Sequence, residues 1–130
     1  MDSTQHRLSA ATKLIDTKGL SEALEAFAVE RDWNQYHSPK NLVMALTGEI
    51  GELSEIFQWL SEEASKSAGI DPETATSVRD ELADVTLYLV RLASVLGVDL
   101  NEAVTQKLQK NMSKYPVDKA HGTHKKYDKL

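Results

Sequence analysis

Apolar residues in this chain recur every three or four positions, and each such run lies between a helix-starting and a helix-stopping signal. No alternating apolar and polar stretch of useful length occurs, so the sequence specifies an all-α fold. Ser21 precedes Glu22, Ala23, Leu24, Ala26, Phe27 and Val29, which predicts a helix capped at Ser21 and ending near Arg31. Ser38-Pro39 is a cap followed by proline in the first turn, where a missing N–H costs nothing. It opens a second helix with Leu42, Val43, Leu46, Ile50, Leu53, Ile56, Phe57 and Leu60 at helical period, closed by the polar and small residues 64–70. Asp71-Pro72 repeats the signal for a third helix, with Val78, Leu82, Val85, Leu89, Leu92 and Leu96 on one stripe and Gly97 as its stop. Asp99, with Glu102 three residues later, opens a fourth that runs through Leu100, Val104 and Leu108 to Tyr115-Pro116.

A chain of 130 residues fits one domain, so the expected architecture is a helical bundle of about four main helices. Residues 1–18 are polar and poor in large apolar groups, predicting a flexible N-terminal segment; a domain over 19–116 and a basic tail over 117–130 follow. Leu87 and Val90 lie off the third stripe, a surplus of apolar surface for which another subunit is the natural cover. The polar, aromatic string Asp32-Trp33-Asn34-Gln35-Tyr36-His37 reads as a functional loop or a ragged helix end.

The two most apolar helices each carry a carboxylate pair at the same spacing, Glu49-x-x-Glu52 and Glu81-x-x-Asp84. Acids three apart share one flank of a helix, so two such helices side by side would point four carboxylates at one spot. Taking 100° per residue, Glu49 falls about 40 to 50° from its stripe centre and should be partly buried. Glu81, Asp84 and Tyr88 share a flank of the third helix. Acids on helices are usually solvated or salt-bridged, and a single pair of this kind says little. The repeat of the pair, and the glycines Gly48 and Gly51 around Glu49, say more. Each helix-interior glycine costs about 1 kcal/mol against alanine, which suggests a close approach to the backbone there. Oxygen-only ligation suits a hard cation such as Mg²⁺, which shares its remaining positions with phosphates.

Other chemistries are disfavoured. Cysteine is absent, which removes disulfides and thiolate ligands, and no long apolar run suggests a membrane span. A cytoplasmic location is expected. His6, His37, His121 and His124 lie outside the acidic helices, and no Glu-x-x-His occurs, against a di-iron bundle. No P-loop or nucleophile elbow is present. Residues 1–104 hold 8 basic and 18 acidic groups, whereas 105–130 hold 7 and 2. That imbalance leaves the basic end either solvated or contacting phosphates, while the acidic remainder would repel a nucleic acid polymer.

The stretch from Arg31-Asp32-Trp33 to Lys114-Tyr115-Pro116 resembles the all-α nucleoside triphosphate pyrophosphohydrolases of the MazG-like superfamily, most of all its dCTP pyrophosphatases. The likeness runs through residues 31–42, through Gly48-Glu49-Ile50-Gly51-Glu52-Leu53 to Phe57-Gln58-Trp59, and through Glu81-Leu82-Ala83-Asp84-Val85 to Tyr88-Leu89-Val90. It covers about 85 residues, and Met112-Ser113 departs from the arginines usual before the Tyr-Pro. The resemblance implies Mg²⁺ held by Glu49, Glu52, Glu81 and Asp84, and cleavage of a nucleoside triphosphate such as dCTP, or a modified cytosine deoxynucleotide, to the monophosphate and pyrophosphate. Glu49 or Glu52 is then the candidate base. Other triphosphates, such as dUTP or oxidised purine nucleotides, and a non-catalytic dimerisation module are the alternatives. The resemblance also implies that Trp33, His37 and Trp59 contact the base, with Tyr88 beside them, and that Lys107, Asn111, Lys114 and Tyr115 contact phosphate or sugar. It further implies a homodimer or homotetramer. On their own terms, Trp59 falls about 120° from its stripe centre, and Lys107, Asn111 and Lys114 share one flank.

Overall fold

The structure, a computed structural model, describes residues 13–130 and contains no strand among them. The flexible segment expected over 1–18 lies, for residues 1–12, outside the described residues. Four longer helices follow in order: α1 (Lys18–Glu30), α2 (Pro39–Phe57), α4 (Ala75–Leu96) and α5 (Leu100–Lys114). Between and after them come the one-turn helices α3 (Glu62–Ser65) and α6 (Val117–Ala120), and 3₁₀ turns at Asn34–Tyr36 and Tyr127–Lys129. The chain forms two compact units, Thr17–Val98 and a second made of residues 13–16 with Asp99–Leu130.

Several local signals act as their chemistry requires. The Ser38 hydroxyl accepts the Asn41 N–H at 3.2 Å, and the Asp99 carboxylate accepts that of Glu102 at 3.0 Å. Gly97 ends α4 at φ 69°, the left-handed position that a Cβ would strain. Three expectations are corrected. Ser21 is not a cap: α1 begins at Lys18 after Thr17, and the Ser21 hydroxyl bonds instead to Ser94 Oγ at 2.9 Å. Asp71-Pro72 does not open α4; Asp71 forms a turn, its Oδ1 accepting from Glu73 N at 2.9 Å, and the helix starts after Thr74. The second helix does not reach residue 64, because it ends at Phe57 and Ser61 caps α3 through Ala64 N at 3.0 Å.

In the Thr17–Val98 unit, α2 and α4 pack along each other and α1 packs against α4. Its buried residues are Ala28, Leu42, Ala68, Val78, Val90, Ala93 and, as the only charged member among the described residues, Arg91. This corrects the predicted α4 stripe. Val90, expected off it, is buried, whereas Leu82, Leu89 and Leu96 are 52%, 44% and 53% exposed. The exposed leucines recur at seven-residue spacing, as do Val43 and Ile50 on α2 at 40% and 47%. Glu49 stands on the inner side of α2 with Leu42, Leu46 and Leu53, and is half-buried. In the second unit, Asn101 Oδ1 accepts the N–H groups of Leu14 and Ile15, at 2.9 and 3.2 Å.

Candidate active site

The α2–α4 packing brings three carboxylates together. One oxygen each from Glu49, Glu52 and Glu81 lies within 4.8 Å of the others. Glu49 and Glu52 arise from adjacent turns of α2, and Glu81 faces them from α4. Glu49 Oε2 and Glu81 Oε2 are shut off from solvent, with no hydrogen-bond partner among the described residues. Such groups are costly unless paired. A proton retained by Glu81 can bridge to Glu49, and this bond, then burial, then the neighbouring Glu52 carboxylate, push the Glu81 pKa up to about 7. Crowded, orphaned, oxygen-only donors fit a hard divalent cation in place of that proton. Asp84 is outside this trio; it lines a cavity one turn further along α4.

That cavity, of about 230 Å³, is bounded by α1 through Leu24 and Phe27, by the following loop through Trp33 and His37, and by α4 through Asp84, Leu87, Tyr88 and Arg91. The α4 residues are spaced three, four and seven apart, hence on one face. The volume falls below the roughly 300 to 1,000 Å³ of pockets that enclose whole drug-sized ligands, so it suits a single ring. Trp33 stands edge-on to Phe27, centroids 5.6 Å apart, and to His37 at 6.3 Å. Arg31 caps the Phe27 ring with its guanidinium carbon 3.7 Å from the centroid. Asp32, at φ 54°, makes the sharp turn that leads from α1 into this loop.

Behind the aromatic wall lies a polar network in which every guanidinium nitrogen of Arg91 donates. Nε reaches His37 Nδ1 at 3.0 Å, Nη2 reaches Asn34 Oδ1 at 2.6 Å, and Nη1 pairs with Glu25 Oε2. Asn34 Nδ2 closes the ring on Glu25 Oε1 at 3.3 Å. The Arg91 and Asn34 hydrogen bonds hold the Glu25 carboxyl below its usual range. Burial, and then the charge of Arg91, lower the His37 pKa, against an opposing pull from Glu25.

The predicted site residues thus separate into groups. Glu49, Glu52 and Glu81 meet; Trp33, His37, Tyr88 and Asp84 share the cavity. Trp59 does neither: it follows the end of α2 rather than riding on it, so its helical angle does not apply, and it is 88% exposed. Lys107, Asn111, Lys114 and Tyr115 belong to α5 and its end in the second unit, where the Lys114 ammonium sits 4.8 Å from the Tyr127 ring centroid and Tyr115 packs edge-on to Tyr127. Gly48 and Gly51 face open space: a Cβ on either would meet nothing within 4 Å among the described residues, so none of those makes the expected close approach. Glu25 and Arg91 were not singled out in the sequence, and Asn34 only as one of the string 32–37; the three lie up to 66 positions apart along the chain, with no shared motif.

A sequence model described as the MazG-like family matches residues 44–130. The chain is 45% identical over 104 residues to mouse dCTP pyrophosphatase 1, a match spanning 80% of this chain and 61% of that protein. Human dCTP pyrophosphatase 1 is 44% identical over the same shares. The chain therefore spans about three fifths of the length of the curated relatives it matches. A crystal structure of a pyrophosphatase from Archaeoglobus fulgidus superposes with a TM-score of 0.71 at 34% identity, covering 86% of this chain and 97% of that one.

Proposed function

Given that the chain belongs to the MazG-like family and has its all-α fold, we propose that it is a Mg²⁺-dependent nucleoside triphosphate pyrophosphohydrolase that cleaves dCTP or a modified cytosine deoxynucleotide to the monophosphate and pyrophosphate. One observation supports this most: a trio of carboxylates with orphaned oxygens stands beside a ring-sized aromatic cavity on the same face of α4. From Glu81 to Arg91 the helix advances about 15 Å, so base and polyphosphate can be gripped by successive turns.

Glu49, Glu52 and Glu81 would hold the cation, with Asp84 able to join from the next turn. When bound, Mg²⁺ supplies neutralisation of the phosphate charge and acidification of a water. Glu49 or Glu52 would accept the proton of the attacking water, being carboxylates at the reacting end of the site. Trp33 and Tyr88 would present flat faces to the base, contacts worth roughly 1 to 3 kcal/mol each. Lys107 and Lys114 carry positive charge, and Asn111 and Tyr115 donors, suited to contact phosphate or sugar.

The exposed lines Leu82, Leu89, Leu96 and Val43, Ile50, together with Trp59, support assembly into a homodimer or homotetramer that covers them. A cytoplasmic setting is proposed; separately, no described helix is long and apolar enough to cross a membrane. The test is incubation with dCTP, dUTP, dGTP and oxidised purine triphosphates plus Mg²⁺, with products separated. Pyrophosphate release, fastest with dCTP, is expected. Orthophosphate as the first product, or no turnover of any triphosphate, overturns the proposal.

A further inference from the structure

We infer that Arg91 is a positioning residue that holds His37 in the tautomer protonated on Nε2, so that the cavity offers a hydrogen-bond donor and selects a ring bearing an acceptor. The identity of the ring rests on the function proposed above; the tautomer does not. A guanidinium has donors only. Its Nε lies 3.0 Å from His37 Nδ1, so Nδ1 must accept, and a neutral imidazole that accepts at Nδ1 carries its proton on Nε2.

Arg91 has little freedom to do otherwise. It is 5% exposed, and its two terminal nitrogens are engaged by Asn34 Oδ1 and Glu25 Oε2. Rotating the fork toward another partner would leave a buried charge-assisted bond unmade, which the packed setting penalises. Meanwhile, among the described residues no acceptor takes the Nε2 proton of His37, although His37 lines the cavity. The loop is thus held from behind while its imidazole keeps a donor in hand. A pyrimidine carbonyl oxygen or an unprotonated ring nitrogen satisfies it. A ring edge made only of donors does not, because two donors would face each other.

The tautomer can be read in the metal-free, ligand-free protein from long-range ¹H–¹⁵N correlations of the imidazole, assigned by their loss in His37→Gln. A single neutral form with a protonated Nε2 is expected. In Arg91→Lys, which keeps the charge but lacks the Nε–H, the signal should become a mixture of both neutral tautomers. Wild-type protein with Nδ1 protonated, or with an equal mixture, overturns the inference without any variant. So does Arg91→Lys, folded by circular dichroism, with the wild-type pattern. On the substrate side, Arg91→Lys should raise KM for dCTP about tenfold, with a smaller change in kcat, as expected for one misdirected hydrogen bond. A kcat loss with unchanged KM overturns the positioning role. Failure of wild-type protein to hydrolyse any triphosphate would sink the functional reading while leaving the tautomer result intact.

Discussion

Loading the carboxylate trio with Mg²⁺ must displace the proton that the trio retains without metal. With the Glu81 pKa at about 7, its carboxyl holds about 0.9 proton at pH 6, about 0.5 at pH 7 and about 0.1 at pH 8. A proton on Glu81 can bridge to Glu49. Mg²⁺ binding to metal-free protein should therefore release those same fractions per ion bound. Isothermal titration calorimetry in buffers of different ionisation enthalpy measures the release directly, and Glu81→Gln should reduce it to nearly nothing at all three values. Between the unfolded value near 4.5 and the folded value near 7, the native state binds the extra proton. Metal-free stability should thus fall as pH rises through that window and level off above it, with saturating Mg²⁺ flattening the fall. Heats independent of buffer at pH 6 and 7 would refute the reasoning, because they would show that the metal binds elsewhere or that the trio holds no proton.

Glu52→Gln should lower pyrophosphate release by about a hundredfold or more, the usual scale for losing an acid–base or electrostatic group, while the helical circular dichroism stays as in wild type. Leu42→Ala removes the most deeply buried large side chain, at 2% exposure, and should cost about 3 to 5 kcal/mol in urea denaturation; a loss under about 1 kcal/mol would show that the unit is held elsewhere. Gly97→Ala places a Cβ at φ 69° and should cost about 1 kcal/mol by the same assay, even though nothing lies within 4 Å of the added atom.

How much of this was written in the chain depends on the range of the interactions involved. The stop at Gly97 and the caps at Ser38 and Asp99 were legible because each is a contact within three residues, governed by backbone dihedrals and one hydrogen bond. Helical period also puts Glu49 and Glu52 on one flank of α2 and Glu81 on a flank of α4, and these three meet; Asp84, expected with them, stands outside the group. Ser21 and Asp71 misled because a cap-forming side chain has competing partners, and here Ser94 Oγ and Glu73 N won.

What tertiary structure alone decided was which apolar line became core and which polar groups met. Helical period marks a stripe on α4 but cannot tell whether a neighbour covers it; the packing of α1 and α2 buries Val78, Val90 and Ala93 and leaves Leu82, Leu89 and Leu96 in solvent. Likewise Arg91 reads as an ordinary charged residue until Glu25, Asn34 and His37 are brought to it from 66, 57 and 54 positions away. A buried charge is tolerated when it is paired and hydrogen-bonded, and partners that distant in sequence are supplied by the fold, not by any local pattern.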